Sequence, residues 1–179
     1  LEKEPLSPLS CHPENKTELT VILDNEVKEK LEQCGKFFPA IGLECIEAFT
    51  GVKGSVVEPW VILDRLPGNN PHNIMLGTGN NLYQAILAIS FKSDADMGVI
   101  VSSSFEELID AWGEFANTYS GMLMDKNTFT SNFGYLTQSI PQYSSGDVFY
   151  SKAWAFYGSI ATNDNHEINL GFAIRKLLV

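Results

Sequence analysis

At 179 residues, the chain is long enough for one domain with a sizeable core. Apolar residues make up 44% and charged residues 19%, the balance of a soluble globular protein. A formal charge of −10 argues against nucleic acid as a partner, because its phosphates would be repelled.

No run approaches the roughly 18 apolar residues of a membrane span, and no basic segment followed by an apolar one opens the chain as a signal peptide would. The three cysteines, Cys11, Cys34 and Cys45, match no disulfide framework, so a reducing cytoplasm is expected.

Residues 1–18 carry Pro5, Pro8 and Pro13 among charges and serines. They read as a mobile arm ahead of a single domain over 19–179. Cys11 and His12 lie in the arm with no second pair at zinc spacing, so no metal site is expected there. Residues 19–23 (LTVIL) form a short strand pattern, and 25–34 a short charged helix that Gly35 would end. A second helix is predicted over 37–49, with Ile41, Cys45, Ala48 and Phe49 on one side and Gly51 as its stop.

Three strand-like runs follow, at 55–63, 73–77 and 84–91, separated by turn clusters at 67–71 and 79–81. Gly77 and Gly79 suggest a hairpin turn; a phosphate loop would need a third glycine and a following helix. The stretch 93–101 fits either a short helix begun by Ser93 or a strand at 98–101. Beyond residue 125, strands are predicted at 133–140, 153–162 and 167–178, the last from the alternation of Ile168, Leu170, Phe172 and Ile174. His72 and His166 read as turn residues, and the histidines share no spacing that supports a His-based site.

Between the two sets of strands, 104–125 (SFEELIDAWGEFANTYSGMLMD) reads as one long amphipathic helix. Ser104 and Glu107 have capping-box spacing. Leu108, Trp112, Phe115, Tyr119 and Met122 fall on the side expected to face a core. Asp110, Glu114, Asn117 and Gly121 fall within about 60° of one another on roughly the opposite face. Glu114 and Asn117 are one turn apart and emerge side by side. Asn is a poor residue inside a helix, because its amide competes for backbone hydrogen bonds. By itself this stripe is also what a merely solvated helix face looks like.

Each half of the chain thus reads as a helix followed by three strands. The expected fold class is α+β in two layers: helices on one face of a largely antiparallel sheet, with a duplicated helix-plus-three-strand unit.

The segment Asp110 to Gly121 resembles the signature helix of the CheC/CheX/FliY chemotaxis phosphatases. Their pattern D/S-x-x-x-E-x-x-N is followed about two dozen residues later by a proline, here Pro141. The similarity runs over about 37–178. The first helix has Glu44 and Glu47 but no asparagine at the equivalent place, so one site is implied, as in CheX-like members.

The resemblance implies a phosphatase for the aspartyl phosphate of a CheY-like response regulator. Asn117 would orient the attacking water, and Glu114 would pair with the regulator's active-site lysine. Asp110, Gly121 and Pro141 would belong to the partner-binding surface. No cofactor of its own is implied, since the magnesium is expected in the partner. CheX-like members also form dimers, and the strands after Ala153 are expected to supply a pairing edge. The alternatives are a non-catalytic response-regulator-binding module of the same fold, or an unrelated α+β domain with a solvated Glu114/Asn117 face.

Overall fold

The computed structural model describes residues 23–57 and 59–177. The arm at 1–18 and all but the last residue of the 19–23 strand lie outside these. The described chain runs α1 (Asn25–Cys34), α2 (Phe37–Thr50), β1 (Gly54–Val56), β2 (Val61–Leu63), β3 (His72–Gly79), β4 (Tyr83–Phe91), α3 (Asp94–Met97), α4 (Phe105–Met124), α5 (Asn127–Phe133), β5 (Thr137–Gln138), β6 (Gln142–Ser145), β7 (Trp154–Thr162) and β8 (Glu167–Lys176).

All strand pairs are antiparallel. They form one eight-stranded sheet in the order β1-β7-β8-β4-β3-β5, with β2 also on β7 and β6 also on β3. The halves are therefore interlocked. The long hairpins β3–β4 and β7–β8 meet at the β4–β8 pair, and the short strands of each half lie on the outer strand of the other half. This is the duplicated architecture expected from the sequence, with one correction: each unit has two short and two long strands. The predicted strand at 55–63 is two strands with Pro59 between them, because proline has no N–H to donate to a ladder.

Strand alternation sorts the core. Ile74, Leu76, Ala85, Leu87, Ile89, Phe91, Ile160, Ile168, Leu170, Phe172 and Ile174 face the helices and are buried with them. The opposite face presents small residues, Ala88, Ala155, Ala173 and Gly171, onto which Leu66 and Tyr150 fold from the loops after β2 and β6. A side chain at Gly171 would put its Cβ 2.3 Å from Leu66, so the loop lies close only because glycine is there.

Other expectations are corrected. Gly35 caps α1 as expected, but with φ −51° and its N–H on Glu32 O rather than by left-handed geometry. It lets the Phe156 ring come within 3.0 Å of the place a Cβ would take. Gly51 does take the left-handed cap, with φ 71°. The predicted strand at 133–140 is instead the end of α5, a connection and β5. Phe129 and Phe133 of α5 are buried, Phe133 edge-on to Tyr83 and Phe129 edge-on to Phe172. Tertiary packing has overridden a sequence too short to show a helical period.

The stretch 93–101 holds α3, begun by Ser93, whose hydroxyl accepts from Asp96 N. His72 and His166 are not merely turn residues, because each reaches an α3 carboxylate: His72 Nε2 lies 2.6 Å from Asp94 and His166 Nδ1 3.6 Å from Asp96. The strands after Ala153 supply no edge, since β7 and β8 are paired on both sides. Among the described residues, the edges are β1–β2 and β5–β6.

Candidate active site

The site is built on α4. Ser104 caps it, accepting from Glu107 N at 3.2 Å. The Glu107 carboxylate turns back to accept from Ser103 N at 3.0 Å, a capping box shifted by one residue. Hydrogen bonds from the Ser103 hydroxyl and then its N–H hold the Glu107 carboxyl below the usual range.

Trp112, Phe115 and Tyr119 are fully buried. The Trp112 indole donates to Met97 O at 2.8 Å, fixing α3 to α4. The Tyr119 hydroxyl donates to Phe38 O at 2.8 Å, fixing α2 to α4; burial pushes its pKa well up. Leu108 and Met122, placed by periodicity in the core, are only half-buried. They lie at the margin of the buried stripe, Met122 meeting Cys45 with the sulfurs 3.6 Å apart.

With that face locked inward, the opposite stripe is held at the surface. Asp110 and Glu114 are exposed, and Asn117 and Gly121 are half-buried. Among the described residues, the Asp110 and Glu114 carboxylates and the Asn117 carboxamide have no protein hydrogen-bond partner. The structure brings all four onto one open face, as the spacing required.

Pro141 joins them from the edge of the sheet. It lies over Gly113, the residue before Glu114, where an added Cβ would stand 3.3 Å from Pro141 Cβ and 3.5 Å from Cγ. The chain at 137–141 therefore runs alongside α4 in contact with it, and the glycine sets the distance. Gly121 has no such neighbour: a Cβ there would meet nothing within 4 Å.

The sequence reading passed over Gln138, which also meets the site. Its side-chain amide donates to the main-chain carbonyl of Asn117 at 3.3 Å. No local pattern could reveal this, because it depends on β5 lying beside α4.

A cleft of about 70 Å³ lies on the other side of the sheet, among Gln84, Ile86, Tyr150, Ala173 and Arg175, and no α4 residue lines it. No group of three or more His, Cys, Asp or Glu among the described residues could hold a metal ion. No helix among them is long and apolar enough to cross a membrane. A preformed pair of polar side chains at the surface, Glu114 exposed and Asn117 half-buried, suits insertion into another macromolecule better than capture of a small ligand.

No protein-family model matches the chain, and no curated protein matches it. Solved structures do. The fold is that of chemotaxis proteins of the CheX and CheC-like type: helices packed on an open antiparallel sheet. One such neighbour, a putative chemotaxis protein from Desulfovibrio vulgaris Hildenborough, is 14% identical with a TM-score of 0.65, over 80% of this chain and 97% of that one. CheX from Desulfovibrio desulfuricans is 13% identical with a TM-score of 0.61, over 82% and 99%. CheX from Vibrio vulnificus is 11% identical with a TM-score of 0.60, again over 82% and 99%.

Proposed function

We propose that this chain is a phosphatase acting on the aspartyl phosphate of a CheY-like receiver domain. The observation that carries the reading is the joint placement of Glu114 and Asn117. They are side by side on the outward face of a helix locked to the core, their side chains without hydrogen-bond partners among the described residues, close to Pro141 packed on Gly113.

The chemistry fits an open site. An acyl phosphate already carries a good leaving group, and a receiver domain supplies its own magnesium. Water must be aimed in line with the phosphorus–oxygen bond, and phosphoryl transfer asks a protein mainly for positioning and charge stabilisation. The Asn117 carboxamide can both donate to and accept from that water without titrating. The water oxygen bonds to phosphorus as the bond to the carboxyl oxygen breaks. The products are inorganic phosphate, a free aspartate and a proton released to solvent. Glu114, one turn earlier, pairs with a lysine of the receiver and fixes the depth of insertion. Asp110, Gly121 and Pro141 border the contact.

The test uses receiver domains phosphorylated with acetyl phosphate, with phosphate release and complex affinity measured separately. Asn117→Ala is expected to keep docking and lose roughly 10²–10³ in rate, the usual cost of one positioning group. Glu114→Gln is expected to weaken both docking and turnover and to change their salt dependence. Unchanged hydrolysis by Asn117→Ala removes the water-orienting role. Docking without hydrolysis by the unmutated chain makes it a binding module instead.

A further inference from the structure

We propose that Gln138 is a positioning residue of this site, acting on Asn117 through the main chain; the inference rests on the phosphatase reading above. Three ties bracket the segment that carries it. Ser139 N donates to Gly77 O at 2.8 Å, Pro141 lies on Gly113, and Gln138 pairs with Thr78 in the ladder. A two-residue strand at the edge of a sheet is thereby fixed against both β3 and α4. From that fixed point the exposed Gln138 side chain reaches the helix and donates to Asn117 O at 3.3 Å.

The Asn117 carbonyl has a second lone pair beyond the one used by the helix. Gln138 occupies it and ties the peptide of the water-orienting residue to the sheet. Asn117 needs such a restraint, since its own amide favours non-helical alternatives. An in-line attack is sensitive to displacements of about 1 Å.

Because a carbonyl can only accept, the working group of Gln138 is its N–H. Gln138→Glu keeps the size and loses the donor. Gln138→Ala loses both. Gln138→Lys restores a donor of similar reach. Docking is read with a CheY-like receiver domain whose aspartate carries beryllofluoride with magnesium, a non-hydrolysable mimic of the phosphorylated form. Turnover is read as phosphate release at saturating phosphorylated receiver. Gln138→Ala and Gln138→Glu are expected to lower turnover by about fivefold, the net worth of one hydrogen bond, with docking unchanged. Gln138→Lys is expected to recover part of the loss. Thr137→Ala, next to it on β5 and exposed, serves as the control with parental turnover.

Parental turnover by Gln138→Glu, or a loss confined to docking, overturns the role. If the unmutated chain releases no phosphate from any receiver, the phosphatase reading falls and this inference with it. That failure shows in the parent rather than in the variants.

Discussion

Two glycines on α4 give a quantitative test of whether the edge of the sheet presses on the site. An alanine in place of a glycine inside a helix gains about 1 kcal/mol where nothing opposes it. At Gly121 nothing does, since the added methyl would meet no atom within 4 Å. Gly121→Ala is therefore expected to gain close to the full amount, raising the melting temperature of a chain this size by roughly 2–4 °C. At Gly113 the same methyl would stand 3.3 Å from Pro141 Cβ. Ordinary carbon contacts begin near 3.5 Å, so the proline must retreat by a few tenths of an ångström. The helix gain is then offset by loosening the 137–141 segment, and a change in melting temperature of less than half that of Gly121→Ala is expected. Thermal melts followed by circular dichroism read the stabilities, and amide chemical shifts at Gln138 and Ile140 read the displacement. Equal stabilisation by the two substitutions, with no shift changes at those amides, refutes the idea that Pro141 bears on α4.

Tyr119→Phe removes the buried hydroxyl bond to Phe38 O and is expected to cost about 1 kcal/mol. A melting temperature equal to the parent's would show that this bond does not hold α2 to α4. The lowered Glu107 carboxyl gives a pH dependence of definite sign. A carboxylate whose folded pKa is depressed contributes stability above its unfolded value, about 4.3, and loses it as pH falls through the lower folded value. Glu107→Gln should therefore melt below the parent at pH 7, with the gap closing below about pH 4. A gap that persists in acid would place the contribution elsewhere than in the charge.

The helix bearing the site was legible in the sequence because several local signals agree there: a cap, a period close to 3.6 and an asparagine out of place. The strands of the two long hairpins were legible as apolar runs bounded by turn clusters, and β8 also by the alternation of Ile168, Leu170, Phe172 and Ile174. Where the sequence misled, tertiary contacts made the choice. The segment 127–133 has no charge pattern and only two aromatic anchors, and it becomes helical because Phe129 and Phe133 find Tyr83 and Phe172. Asn80 then fixes its exit, donating to Phe133 O and Tyr135 O. The 137–138 strand and Gln138 follow from that placement. Register against β3 puts them beside α4, and no cap or period around Gln138 announces that contact.

The duplication explains why only one half carries the site, and it does so by more than the missing asparagine. Aligned by burial, Glu44 and Glu47 of α2 are exposed around the buried Cys45 and Ile46, as Glu114 and Asn117 lie around Phe115 and Ala116. Pro59 stands between β1 and β2 as Pro141 stands between β5 and β6. The place of Gly113, however, is taken by Leu43, whose Cδ2 lies 3.4 Å from where a Cβ on Gly54 would be. On α2 it is thus a leucine, not a glycine, that meets the neighbouring sheet edge. Restoring the asparagine alone should therefore not make a second site. In an Asn117→Ala background, Glu47→Asn is expected to leave phosphate release from a phosphorylated receiver at the background level. Recovered turnover in that double variant would mean that the E-x-x-N pair suffices by itself, and that the contact between Gly113 and Pro141 is only packing.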